Sequence, residues 1–217
     1  MIEGRRLFFQ GGAAAGLSRG IPLATNHSGD RAKTVTLTKF TPSINLTKPG
    51  DRHGVMRVDL NWSAEVRRGL FRRPVAIALG LGCLYELADG AKGVVEVDRL
   101  GSLEAEPFIR LDEATPGGES LRIDLERPEL FRRILLFAKG DADAPNWAAA
   151  DGVVTLHPTT GPAVEVRLDE PVPSARSCAI ALLQNPGQGI TVHREVHYVD
   201  GAHRELDRAY QWGMDWD

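Results

Sequence analysis

Cysteine is scarce in this chain. Among 217 residues there are two, Cys83 and Cys178, each inside an apolar, strand-like run. That usage points to buried, reduced thiols in a cytosolic protein rather than to a disulfide framework. No apolar run approaches the roughly 20 residues that a membrane-crossing helix needs. Charge of one sign is not in excess either: the formal net charge is −3, so no global field recruits nucleic acid or an anionic membrane. Helical periodicity is nearly missing. So are a P-loop, a G-x-S-x-G elbow, a dinucleotide fingerprint and any nucleophile beside a base at motif strength, and catalysis is therefore not expected.

What the chain does have is period-two alternation, broken at short intervals by Gly, Pro and Asp. Val35, Leu37 and Lys39 alternate with Thr36 and Thr38, and a short element follows at Ile44 to Leu46. Met56, Val58, Leu60 and Trp62 share one face opposite Arg57, Asp59 and Asn61. Further strands are read at 94–98, 121–125, 134–138, 153–157, 164–168, 178–183 and 190–199, with 134–138 central because it is continuously apolar. Many short strands with turn signals between them predict an all-β fold, a two-sheet β-sandwich. A helical turn is expected at Pro128 to Phe131, and a short C-terminal helix over Glu205 to Trp212. Residues 1–31 read as a flexible arm, in which Ile2 to Arg5 and Phe9 to Gly11 look like protease-tag remnants; residues 32–217 read as the sandwich domain.

One stretch, Pro74 to Gly90, has two unlike faces. Val75, Ile77, Leu79, Leu81, Cys83, Tyr85 and Leu87 make one face large and apolar, whereas Ala76, Ala78, Gly80 and Gly82 make most of the other small. Interior strand glycine is costly and marks close approach by a ligand or another backbone. The small face is therefore expected to leave space, and the strand to end in the turn Ala88-Asp89-Gly90.

Two acidic loops offer oxygen donors. Asp112, Glu113 and Glu119 surround the Pro116-Gly117-Gly118 turn, and Asp141 and Asp143 precede Asn146 and Trp147. Ca²⁺ takes six to eight oxygens, which such loops can supply, although solvated turns often have the same composition. His193 and His197 flank a glutamate, but on a strand they would stand about 13 Å apart, too far for one ion, so they read as exposed face histidines. Arg67, Arg68, Arg72 and Arg73 around Phe71 form a basic loop able to meet phosphate or a membrane surface, or simply to be solvated. Trp212 and Trp216 would form an interface or cap the sandwich edge.

Taken in order, these pieces resemble the tellurium-resistance and stress-protein family with its TerD-type domain, over Val35 to Tyr198. Val35 to Lys39 and Ile44 to Lys48 resemble its paired V-x-L-x-K openings, and Val58 to Trp62 its V-x-L-x-W strand. The resemblance implies a cytoplasmic, Ca²⁺-binding β-sandwich without established catalysis, whose partners are other tellurium-resistance and stress proteins. The departures are large. Ala76, Ala78, Gly80 and Gly82 stand where the family places three carboxylates and a hydroxyl, which leaves Asp112, Glu113, Glu119 and Asp141 as candidate metal ligands. With so few anionic oxygens the resemblance implies weak or absent calcium binding, as in a divergent, TerA-type member. The rival expectation is an adaptor that uses Arg67 to Arg73 on phosphates or for peripheral membrane contact, without specific nucleic-acid binding.

Overall fold

Alternation of apolar and polar residues becomes alternation of buried and open positions along nearly every strand. A computed structural model describes residues 33–47, 53–63, 65–66, 75–140, 144–172, 174–187 and 189–216. The arm expected over residues 1–31 and the basic loop at Arg67 to Arg73 lie outside the described residues. The first strands are β1 (Thr34–Thr36), β2 (Ser43–Asn45), β3 (Val55–Asn61), β4 (Glu65–Val66) and β5 (Val75–Ala76). Then come β6 (Leu79–Leu87), β7 (Lys92–Val95), β8 (Gly101–Ser102), β9 (Ile109–Leu111) and β10 (Gly118–Asp124). A 3-10 turn, Pro128–Leu130, leads into β11 (Phe131–Gly140). The short helix α1 (Trp147–Ala150) precedes β12 (Gly152–His157) and β13 (Ala163–Leu168). The described chain closes with β14 (Ser177–Gln184), β15 (Thr191–Val199) and α2 (His203–Tyr210).

These strands form the expected sandwich. One sheet has the order β1-β13-β12-β3-β10-β9-β8 and the other β2-β15-β14-β11-β6-β7. All neighbours are antiparallel except β1, which runs parallel to β13. Between the sheets, Met56, Val58, Leu60, Leu121 and Ile123 face Leu81, Cys83, Ile134, Leu136 and Ile180 in one continuous core. Each such side chain contributes about 1.5–3 kcal/mol relative to exposure. β11 lies centrally, between β14 and β6, as its apolar run implied. Both cysteines are free and buried.

The Pro74 to Gly90 stretch departs from expectation in two ways. It is not one strand: β5 pairs with β4 in a separate hairpin, and the backbone breaks at Ile77 and Ala78, where Trp62 Nε1 donates to the Ile77 carbonyl at 2.8 Å. More importantly, the small face is covered at its glycines, while Ala76 and Ala78 are exposed. Phe137 and Lys139 on β11 stand directly opposite Gly82 and Gly80 on β6 and lie across them. A Cβ on Gly82 would sit 2.5 Å from Phe137 Cζ and 2.9 Å from the Val95 carbonyl oxygen. The close approach that the glycines announced is by a neighbouring strand. The strand does end in the expected turn, where Gly90 takes φ +94° and Asp89 Oδ1 accepts from Ala91 N–H at 2.9 Å.

Phe137 belongs to a second core on the outer face of the six-stranded sheet, with Leu84, Val94, Leu135, Ala179, Leu206 and Trp212. The expected C-terminal helix provides this cover. Glu205 accepts the Ala202 N–H at 3.0 Å and so ties the first turn of α2. Beyond the helix Trp212 is fully buried, donates Nε1 to the Tyr85 carbonyl at 3.1 Å, and carries the Arg133 guanidinium 3.9 Å over its ring. Buried Asp207 collects the N–H groups of Gly213 and Met214 and Trp216 Nε1. The two tryptophans thus cap the sheet.

A substitution tests the strand-over-glycine packing. Gly82→Ala should lower the unfolding free energy by about 1–3 kcal/mol, since the added methyl overpacks a filled site. Urea denaturation should also show coupling to Phe137→Leu, which gives back part of the loss. Independent, additive effects of the two changes would contradict the packing.

Candidate functional site

The tight turn at Thr115–Gly118, closed by paired backbone hydrogen bonds, launches β10 and sets which of its residues face inward. Glu119 stands opposite Leu60, so it shares the inward face of Leu121 and Ile123. At that end of the sandwich it reaches the other sheet, and its Oε2 accepts the Leu81 N–H at 2.6 Å. The donor is available because β7 pairs with β6 only at Cys83 to Glu86. Burial raises the Glu119 pKa, against the opposing effects of the Leu81 N–H and the Lys139 charge.

Lys139 comes from the other side. Its stem crosses Gly80, and its ammonium meets Glu96 Oε2 at 2.6 Å. Glu96 is nearly buried, with 7% of its side chain exposed, and its second oxygen lies 3.3 Å from His203 Nδ1. The His203 ring stacks on Trp216 with centroids 4.4 Å apart. The cluster therefore has two carboxylates, Glu96 and Glu119, near one lysine, which pairs with Glu96 and whose charge opposes the burial effect on Glu119.

The ligands expected from the sequence separate. Asp112 Oδ1 accepts from Arg122 Nε at 3.0 Å and from Nη2 at 2.5 Å, and Arg122 pairs with Arg57 on the outer face of the seven-stranded sheet. Glu119 points to the inner side of that sheet, so the two carboxylates do not converge. Glu113 is exposed, and Asp141 lies outside the described residues. On the same outer face Asp59 accepts from Ser120 Oγ at 2.6 Å and pairs with Arg57 at 2.9 Å and His157 at 3.2 Å. Among the described residues no group of three or more His, Cys, Asp or Glu is arranged to hold a metal ion. Of the expected ligands among the described residues, Asp112 and Glu119 are turned to opposite faces and each accepts from a protein donor.

Nor do the histidines and cysteines among the described residues form a metal-holding group. His193 and His197 both lie on β15, the first half-buried and the second exposed, with His197 6.0 Å from the Tyr210 ring. Burial pushes both cysteine thiols far up, which leaves them without thiolate character. Among the described residues no helix is long and apolar enough to cross a membrane. Glu96, Lys139, Glu86 and Arg133 do not stand out in the sequence. The available signal was register: Lys139 continues an apolar run directly opposite a glycine, and only pairing of β11 with β6 reveals it.

The fold and cluster thus define a β-sandwich in which ion pairs occupy the polar positions between and upon the sheets. No protein-family model matches the chain. A curated protein, "Tellurium resistance protein TerA" from Alcaligenes sp., is 38% identical to it over 194 residues, covering 84% of this chain and 57% of that protein. The chain belongs to the tellurium-resistance family as a TerA-like member. It spans somewhat over half the length of that relative.

The raised Glu119 pKa has a definite sign in stability. Because the folded chain holds this proton more tightly, the group's contribution is complete below the unfolded carboxylate value and declines as pH rises through the folded one. Glu119→Gln keeps an acceptor for Leu81 N–H and never ionises. Its stability relative to the parent should rise from acid to neutral pH in urea melts, and parallel pH profiles would refute the assignment.

Proposed function

We propose that this chain is a non-enzymatic binding and scaffold module of the tellurium-resistance and stress-response system, acting in the cytoplasm, with calcium sites that have decayed. The observation that carries the reading is the Lys139 cluster. An ammonium held on Glu96 beside Glu119 supplies the charge that a divalent ion would otherwise bring, on a strand pair whose glycines leave no oxygen donors. The pairing of Asp112 with Arg122 supports it from the other face. Similarity to the TerA protein supports a role in tellurium resistance for the shared region. In this reading the partners are other proteins of that system, met by the sandwich as a rigid platform.

Calorimetric titration with Ca²⁺ tests the metal half of the proposal. The expected result is no binding at micromolar concentrations. Two ions bound per chain with micromolar Kd would overturn it.

A further inference from the structure

Along one edge of the six-stranded sheet a single cross-strand row of outward residues is wholly polar: Lys92, Glu86, Arg133, Gln184, Thr191 and Asn45. Half of this row is committed to the C-terminal segment. Lys92 Nζ donates to the Trp212 carbonyl at 2.6 Å, and Arg133 donates to the carbonyls of Tyr210 and Gln211 at 3.2 and 3.3 Å. The other half is open. Arg132, Arg133, Gln184, Asn185, Thr191 and His193 line a cleft of about 420 Å³.

The charge in the cleft does not cancel. Glu86, 4% exposed and not itself in the lining, is shared by two lining residues, Arg132 at 2.9 Å and Arg133 at 2.6 Å. Two guanidiniums on one carboxylate leave an excess of one positive charge. Arg133 spends its donors on Glu86 and the helix-end carbonyls. Arg132 gives one N–H of its five to Glu86, and the rest meet no protein acceptor among the described residues. The Gln184 amide likewise has no hydrogen-bond partner among them, and His193 lines the same cleft. Asn185 is fixed at the rim by the Pro128 carbonyl at 2.7 Å and the Gly187 N–H at 3.0 Å, and Thr191 by Asn45 at 2.9 Å. The walls are thus held while the donors are unspent.

We propose that this cleft is a binding site for a small oxyanion, with Arg132 as the forked charged donor and Gln184 and His193 as further hydrogen-bond donors. A guanidinium anchored by one N–H to a buried carboxylate is oriented before the ligand arrives, which suits forked recognition of phosphate or carboxylate oxygens. The proposal is independent of the calcium reading, since no residue is common to the two clusters.

Amide chemical-shift titration of the whole chain with inorganic phosphate is the test, with acetate and sodium chloride at matched ionic strength as parallel arms. Saturable shifts at Arg132, Gln184, Asn185 and His193 are expected, with Kd of about 1 mM. Arg132→Gln should weaken binding about tenfold or more while the spectrum stays dispersed. Gln184→Ala should weaken it several-fold, and Lys39→Gln, on an exposed surface pair elsewhere, should leave it unchanged. Saturation by acetate as tight as by phosphate would assign the site to carboxylates within the same oxyanion class. Shifts reproduced by chloride, absent saturation, or equal loss from Arg132→Gln and Lys39→Gln would each overturn the proposal.

Discussion

The close passage of β11 across the glycines of β6 is the constraint on which the rest of this molecule depends. Glycine in a strand interior costs roughly 0.5–1 kcal/mol relative to alanine. Here the missing side chains let Phe137 lie over Gly82 and enter the outer core beneath Leu206 and Trp212. Burial of an aromatic ring contributes about 1.5–3 kcal/mol, which more than offsets the glycine. At Gly80 the Lys139 stem passes at ordinary van der Waals distance, 3.7 Å from where a Cβ would stand, on its way to Glu96. The steric demand thus falls on Gly82, and it organises the second hydrophobic layer.

Charge in this protein works as fastening. Glu86 holds Arg133, which covers Trp212; Asp207 gathers the turn after α2; Glu96 joins Lys139 to His203, and His203 to Trp216. Each of these buried carboxylates has a hydrogen-bonding partner, Arg132 and Arg133 for Glu86, Lys139 for Glu96 and three N–H groups for Asp207, since an isolated buried ion costs several kcal/mol. The pattern fastens the C-terminal segment to the outer face of one sheet, whereas the ion pairs of the other sheet, around Asp59 and Asp112, lie on a face with no such cover among the described residues.

The fold was legible because its signal is local. Met56, Val58 and Leu60 alternate with Arg57 and Asp59 in the sequence and do so in space, and Ile134 to Ala138 is apolar on both sides because both sides are covered. The short helix α1 and the two-residue edge strand β8 carried no such pattern, and β9 alternates over only three residues, too few to read. The site was far less legible, and the reason is register. Whether a glycine face is open or filled depends on which residues stand opposite it, and the partners of Gly80 and Gly82 are more than fifty positions away in the chain. Alternation identified the face but could not name its neighbour. Asp112 and Glu119, close in sequence, part company because a strand turns alternate residues to opposite sides.

The order of strands has a kinetic corollary. Each sheet takes its first-made strand as one edge: β1 docks on β13, and β2 on β15. The opening segments must therefore wait, unpaired, until strands from the far end of the chain exist to receive them. Loop closure over such distances is slow, and sandwiches of this kind assemble in milliseconds to seconds where helical bundles need far less. During that interval β1 and β2 are exposed edges in search of partners. Their brevity, three residues each, limits what else they can pair with before the correct neighbour arrives.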